Sequence, residues 1–172
     1  YLFTEDGIPC VYYGTEQEFS GGNDPTNRER LWDTGFRTDG ATFQYIQKLI
    51  KIRKAYSPLR RGDLTITWST DHVANEEDAG IFAFERNDGG KKALVVLNTS
   101  DKQTSETSTI QTGGNPMTTS FPAGTELTDV LELDGSAATS TITVGAAGAL
   151  TVQVASRGAK IYVPSGDVVP LP

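Results

Sequence analysis

The spacing of apolar and polar residues changes near residue 60, and this change divides the chain into two predicted parts. After Gly62, short runs rich in β-branched residues often alternate with polar positions and are separated by turns rich in Gly, Asn and Pro. Such a pattern, with no helical periodicity between the runs, is typical of an antiparallel β-sandwich. Within it, the Thr- and Ser-rich stretch 99–120 has few apolar residues to anchor a strand. Eight strands are predicted, over residues 64–68, 80–85, 93–97, 106–110, 127–131, 141–144, 150–154 and 159–163.

A helix is predicted immediately before the sandwich. From Phe43 to Tyr56 the apolar residues recur at three- and four-residue spacing, which indicates a helix over about residues 39–56. The Asp39 carboxylate is placed to accept a backbone N–H of the first turn, and Ser57-Pro58 ends the pattern.

A buried strand is predicted nearer the N-terminus. Residues 8–13 form an almost continuous apolar run between Gly7 and Gly14. A strand that is apolar on both faces belongs in a parallel sheet covered on both sides, because a sheet with one wet face would alternate. A parallel strand, a polar loop and a helix in this order form one unit of an α/β fold. A full (β/α)₈ barrel takes about 250 residues, so we expect residues 1–60 to be the end of a barrel encoded upstream and residues 61–172 to be the sandwich.

The loop that follows this strand carries the candidate binding residues. Its sequence runs Gly-Gly-Asn-Asp-Pro-Thr-Asn-Arg, with Asp24 and Arg28 four residues apart. A carboxylate accepts hydrogen bonds from two adjacent sugar hydroxyls, and a guanidinium donates a fork of hydrogen bonds. Loops at this position bind ligands in α/β proteins. The same two residues could instead form only an ion pair that caps the loop.

Composition narrows the classes of partner. The chain has 172 residues and a net charge of −7, and its lack of a basic stripe argues against binding to nucleic acid or to an anionic membrane. This charge suits a neutral substrate such as a glycan. Cys10 is the only cysteine, which excludes an internal disulfide and a cysteine-based zinc site. No apolar run approaches the roughly 20 residues of a membrane span, and no signal peptide is visible.

The Gly-x-Pro-x-x-Tyr-Tyr-Gly-x-Glu sequence that begins at Gly7, together with the loop at residues 21–28, resembles the α-amylase family of glycoside hydrolases. The segment Arg30-Leu31-Trp32, the predicted helix and the trailing sandwich follow in the order found in that family. The resemblance is specific over about residues 7–60 and architectural beyond them. It implies strand 8 and helix 8 of a (β/α)₈ TIM barrel, followed by an antiparallel Greek-key sandwich called domain C.

The resemblance also implies a function for the parent enzyme, namely endohydrolysis of α-1,4-glucosidic bonds in starch-like polysaccharides with retention of configuration. Asp24 and Arg28 would contact the substrate on the donor side of the cleft. The parent would bind calcium and be secreted, and its partners would be α-1,4-glucan and the missing N-terminal barrel portion. Retaining hydrolysis needs two carboxyl groups about 5–5.5 Å apart. The family's three catalytic acids would precede this chain, so no catalytic or metal-binding residue is assigned here and the chain alone is expected to be inactive.

Two alternatives stay open. One is a fragment of a cyclodextrin-forming transglycosylase, which would differ in acceptor-side loops and therefore in products. The other is a non-catalytic starch-binding or purely structural sandwich module. A binding module needs exposed aromatic side chains, and the sandwich offers only Trp68, Phe82, Phe84, Phe121 and Tyr162.

Several further residues are predicted to be structural rather than functional. The resemblance makes Glu16 a buried structural partner, and Tyr12 and Tyr13 are expected to pack in the barrel core and rim. Trp32 and Trp68 are expected to pack in cores. His72, the only histidine, is predicted to be a solvated surface residue, and Asn75-Glu76-Glu77-Asp78 a solvated turn rather than a calcium loop.

Overall fold

The computed structural model describes residues 1–70, 78–109, 115–133 and 140–172. Two helices precede the strands: α1 (Ala41–Ala55) and the single turn α2 (Pro58–Arg61). The strands are β1 (Asp63–Ser69), β2 (Ile81–Asp88), β3 (Lys91–Asn98), β4 (Ser105–Glu106), β5 (Ser108–Thr109), β6 (Asn115–Thr118), β7 (Glu126–Asp129), β8 (Thr141–Thr143), β9 (Ala149–Leu150), β10 (Gln153–Val154) and β11 (Ala159–Pro164).

These strands form one large sheet and two small ones. The large sheet has six strands in the order β1-β2-β3-β11-β7-β8, and every pair is antiparallel. The small sheets pair β10 with β4, and β5 with β6 and β9. The predicted antiparallel all-β architecture is confirmed. The run 150–154 differs, because it divides between β9 and β10, and the sequence pattern did not predict β6.

Both faces of the large sheet are buried. On one face, Ala83, Leu94 and Tyr162 belong to a cluster that also contains Met117 and Leu150 from the small sheets. On the opposite face, strand residues pack against the helices, in a cluster formed by Ile52, Tyr56, Leu59, Phe84, Ala93, Val95, Val130, Ile161 and Val163. Strands buried on both faces have continuous apolar runs, which explains the run of residues 93–97.

The predicted helix is present, but its N-cap is not the predicted one. Helix α1 begins at Ala41, and Gly40 is the N-cap without a side-chain hydrogen bond. The Asp39 carboxylate instead accepts a hydrogen bond from Arg37 Nε at 3.0 Å. The C-terminal half of α1 packs on the sandwich sheet through Ile52. No helix within the described residues is long and apolar enough to cross a membrane.

The predicted buried strand over residues 8–13 is wrong for this chain. Residues 1–62 contain no strand, and residues 8–13 lie in irregular structure with a turn. Ile8 is 95% exposed and Tyr12 is 81% exposed. A strand is stabilised by backbone hydrogen bonds to neighbouring strands and by cover on its apolar face. This part of the chain offers residues 8–13 neither.

Candidate functional site

The structure brings the two predicted substrate-binding residues together. Arg28 Nε lies 3.0 Å from Asp24 Oδ1, and the two side chains are 76% and 65% exposed. The peptide bond between Asp24 and Pro25 is cis, and the Asn23 carbonyl accepts a hydrogen bond from the Thr26 backbone N–H at 2.8 Å. The geometry is therefore an exposed ion pair on a tight loop, with both charged groups accessible from solvent. Their contact with substrate stays a prediction.

Two residues that the sequence analysis did not single out for this task hold the base of the loop. The Glu29 carboxylate accepts a hydrogen bond from the Gly21 backbone N–H at 3.0 Å. The Tyr13 hydroxyl accepts one from the Leu31 backbone N–H at 2.9 Å and donates one to the Glu29 carbonyl. The Tyr13 ring also contacts the Phe19 ring, with 5.8 Å between centroids. An acidic residue directly after the Asp24–Arg28 pair was the available signal for Glu29.

Large apolar side chains around this loop are exposed, which corrects the expectation that they are packed. We call the set Ile8, Tyr12, Tyr13, Trp32 and Phe36 the apolar surface. Trp32 is 63% exposed, and Phe36 is 60% exposed, so the prediction of core packing is wrong for Trp32. Trp68 does pack against the sandwich core. The difference arises because Trp68 lies on a strand of the sandwich, whereas Trp32 lies on a single 3-10 turn beside the loop.

Two arginines hold the N-terminal segment on the sandwich by its backbone carbonyls, an arrangement we call the arginine clamp. Arg53 of α1 donates to the carbonyls of Phe3 (2.9 Å), Glu5 (3.3 Å) and Gly7 (2.6 Å). Arg86 of β2 donates to the Thr4 carbonyl at 2.7 Å and to the Gly62 carbonyl at 2.7 Å. The chain leading to the apolar surface is therefore fixed to both a helix and a strand.

The electrostatics of the clamp explain its many acceptors. The Arg86 side chain is 1% exposed, and its guanidinium lies 2.9 Å from Asp6 Oδ1. Burial lowers the pKa of Arg53, and the nearby positive charges of Arg86 and Arg60 lower it further, while Glu5 and Asp6 oppose the change. Buried charges need hydrogen-bond partners to offset their lost hydration. Each guanidinium presents several donors in a planar fork, and the carbonyls of residues 3–7 accept them.

The remaining candidates are distributed as follows. Glu16 is half-buried in a single 3-10 turn. His72 and Asn75, Glu76 and Glu77 lie outside the described residues. Asp78 is buried and accepts a hydrogen bond from Trp68 Nε1 at 3.2 Å, so the prediction of a solvated turn is wrong at that residue. Among the described residues, no group of three His, Cys, Asp or Glu side chains could hold a metal ion.

Comparison with known proteins decides the family. The sequence profile described as "Alpha amylase, C-terminal all-beta domain" matches residues 72–165, which is more than half of the chain. The chain belongs to this family. The profile covers β2 to β11 of the sandwich, in agreement with the architectural part of the resemblance.

Relatives of two enzyme types align over nearly the whole of this domain C chain. α-Amylase 1 of Schwanniomyces occidentalis is 26% identical over 165 residues, covering 96% of this chain and 29% of its own length. Cyclomaltodextrin glucanotransferase of Bacillus sp. (strain 1-1) is 37% identical over 151 residues, covering 87% of this chain and 18% of its own length. This chain thus spans less than a third of each of these relatives.

Solved structures show the same fold. An α-amylase from Anoxybacillus superposes with a TM-score of 0.70 and 29% identity, over 95% of this chain and 30% of that one. An α-amylase from Malbranchea cinnamomea gives a TM-score of 0.71 and 25% identity, over 99% of this chain and 32% of that one. Coverage of this extent includes residues ahead of the sandwich, so the loop region also has counterparts in these enzymes.

Proposed function

We propose that this chain is the C-terminal part of a retaining α-amylase that hydrolyses α-1,4-glucosidic bonds in starch-like polysaccharides. The observation that carries the proposal is the alignment of α-amylases through both the sandwich and the segment with the Asp24–Arg28 pair. In this proposal the sandwich stabilises the enzyme, and the loop contributes substrate contacts.

The apolar surface supports an N-terminal barrel portion as the partner of this segment. Side chains as exposed as Ile8 and Tyr12 lose free energy by remaining in water, at about 25 cal/mol for each Å² of apolar area. The curated relatives are several times longer than this chain. We infer that preceding barrel strands cover the apolar surface and pair with residues 8–13, which would then become the eighth strand.

The proposed role of Asp24 and Arg28 is to position substrate. Their ion pair is exposed, so sugar hydroxyls can replace water around both groups. Asp24 would accept hydrogen bonds from adjacent hydroxyls, and Arg28 would donate to ring or hydroxyl oxygens. Such contacts orient the scissile bond toward the carboxyl groups that react with it. Those groups would belong to the preceding barrel, so this chain alone would not hydrolyse glucan.

The whole enzyme provides the test. We expect Arg28→Met or Asp24→Asn to lower kcat/KM on a maltooligosaccharide about tenfold or more, because each variant removes charge-assisted hydrogen bonds to substrate. Arg37→Met is the matched control, since Arg37 and Asp39 form another exposed ion pair of 3.0 Å. Equal losses in Arg28→Met and Arg37→Met would reject the proposed role.

A cyclodextrin-forming transglycosylase is the second candidate, because glucanotransferases align with this chain as extensively as some α-amylases do. Incubating the whole enzyme with starch and separating the products decides between the two, since cyclic oligosaccharides would identify the transglycosylase. A starch-binding module is less well supported. Within the described sandwich, Phe84, Phe121 and Tyr162 are buried, and Phe82 and Trp68 pack against the core clusters.

The calcium requirement and the secretion implied by the resemblance are proposals for the whole enzyme. The described residues do not provide a fitting calcium site, so any calcium would be held by residues elsewhere.

A further inference from the structure

A cavity of about 430 Å³ lies where α1 meets α2, beside the start of β3 and the chain that follows β11. Its walls combine apolar and charged groups: Ala55, Tyr56, Pro58, Val163 and Val169 on the apolar side, and Arg60, Arg61, Lys91, Lys92 and Asp167 on the charged side. Small-molecule sites have volumes of about 300–1,000 Å³ and combine apolar walls with a few polar groups. The cavity is separate from the loop at residues 21–28, none of whose residues line it.

The charge of this cavity is opposite to that of the chain. Four cationic side chains and one carboxylate line it, although the chain carries a net charge of −7. Lys92 is engaged, because its Nζ donates to the Ser120 carbonyl and hydroxyl. Arg61 makes only a long ion pair with Asp88, at 3.5 Å. This concentration of positive charge on an acidic protein indicates an anionic ligand.

Two of the cations are available to such a ligand. Arg60 and Lys91 are exposed at the cavity and form no ion pair with any residue that the structure describes. Arg60 follows directly from the buried Leu59, and Lys91 begins β3. Both side chains therefore start from backbone fixed by secondary structure. An arginine fork and a lysine ammonium together match the oxygens of a phosphate group.

We propose that this cavity binds a phosphate monoester carried on a glucose unit. Arg60, Arg61 and Lys91 would bind the phosphate oxygens. Tyr56, Val163 and Val169 would pack against the C–H face of the sugar, and Asp167 would accept a hydrogen bond from a hydroxyl. The identity of the sugar rests on the proposed function, whereas the phosphate part rests on the cavity alone. The site would let the enzyme hold phosphorylated positions of a glucan away from the cleft.

Titration calorimetry on the 172-residue chain tests this site with three probes: glucose 6-phosphate, glucose and inorganic phosphate. We expect glucose 6-phosphate to bind about tenfold or more tightly than either other probe, because each of those lacks one half of the recognised chemistry. A phosphorylated maltooligosaccharide distinguishes the two sources of the group. Binding at least as tight as that of glucose 6-phosphate indicates the polysaccharide ester, and weaker binding indicates the free sugar phosphate.

Charge-matched variants assign the binding to the cavity. Arg60→Gln and Lys91→Gln should each weaken glucose 6-phosphate binding about tenfold. Lys102→Gln is the control, because Lys102 is exposed beyond the opposite end of β3, and it should change the affinity by less than about twofold. All three residues are on the surface, and a circular dichroism spectrum checks their folding.

The proposal is overturned if glucose 6-phosphate gives no binding signal, if inorganic phosphate binds as tightly, or if Lys102→Gln weakens binding as much as Arg60→Gln. These outcomes are distinct from a failure of the proposed function. Hydrolysis of unphosphorylated starch by the whole enzyme would be unaffected by losing this site.

Discussion

At the scale of single residues, backbone conformation constrains Gly148 more than any side-chain pattern indicates. Gly148 has φ +81, and a Cβ atom added there would lie 2.1 Å from the Thr119 carbonyl oxygen. That carbonyl belongs to a residue whose N–H and hydroxyl both donate to the Gly148 carbonyl, each at 2.9 Å. The two strands of chain approach closely because no side chain stands between them.

Gly148→Ala should therefore lower the free energy of unfolding by about 2 kcal/mol or more, since it combines left-handed strain with a backbone clash. Gly124→Ala separates the two effects, because Gly124 has φ +83 and no atom within 4 Å of an added Cβ. That variant should lose only about 1 kcal/mol. Urea unfolding of both variants measures the difference, and similar losses would show that the clash is relieved by backbone movement.

Asp129 gives the chain a predictable dependence on pH. Its side chain is fully buried and accepts hydrogen bonds from the N–H groups of Leu131 and Ile161, with Lys160 Nζ 3.2 Å from Oδ2. Burial raises the pKa of Asp129 above its ordinary value of 3.8, although the hydrogen bonds and Lys160 oppose the change. For Lys160, burial lowers the pKa, but Glu132 and Asp129 outweigh that effect and raise it overall.

A carboxyl with a raised pKa binds its proton more tightly in the folded state. Its contribution to stability is complete below pH 3.8 and is lost as the pH rises through the folded-state pKa. We expect the unfolding free energy of the wild type, relative to Asp129→Asn, to fall across that window while Lys160 stays charged. Urea unfolding at a series of pH values measures it, and a relative stability that rises with pH would contradict the sign.

At the scale of elements, the arginine clamp joins three parts of the chain that the hydrophobic pattern leaves separate. Arg86 lies on β2, where an alternating or apolar pattern would place a hydrophobic residue, yet it is almost fully buried. Its partners lie at Thr4, Asp6 and Gly62. Arg53 is likewise part of the buried face of α1. Sequence periodicity placed Arg53 on the helix but contained no signal for these carbonyl partners.

Arg86→Met keeps the bulk of the side chain and removes its donors. We expect a loss of about 2–4 kcal/mol in the free energy of unfolding, because the Thr4 and Gly62 carbonyls are left without their donor. Residues 1–7 should also become more sensitive to protease. Arg157→Met is the control, since its ion pair with Asp101 is exposed, and it should cost less than about 1 kcal/mol. Unchanged protection of residues 1–7 in Arg86→Met would rule out the clamp.

At the scale of the whole molecule, the sandwich is complete and the segment ahead of it is not. The large sheet has both faces covered, by the small sheets and by α1 and α2. By contrast, the apolar surface faces solvent within this chain. This asymmetry predicts that substitutions on the apolar surface have different consequences in the isolated chain and in the whole enzyme.

Trp32→Ser should change the unfolding free energy of the 172-residue chain by less than about 0.5 kcal/mol, because Trp32 is 63% exposed. In the whole enzyme, where the barrel is proposed to cover this side chain, the same variant should cost about 1.5–3 kcal/mol. Thermal unfolding of both proteins makes the comparison. If the whole enzyme tolerates Trp32→Ser as well as the isolated chain does, the proposed docking of the barrel here is wrong.

The sequence by itself determined the antiparallel strands after Gly62 and the extent of α1, because these depend on local periodicity and on turn residues. It also placed Asp24 and Arg28 on one loop, four residues apart, and their motif pointed to the family. The tertiary structure alone decided that residues 8–13 are not a strand here, that Asp39 pairs with Arg37, and that Arg53 and Arg86 hold the N-terminal carbonyls. Each of these outcomes depends on which groups meet across long separations in sequence or on whether a strand has neighbours. A strand needs partners and a buried charge needs acceptors, and no pattern within the segment itself supplies either.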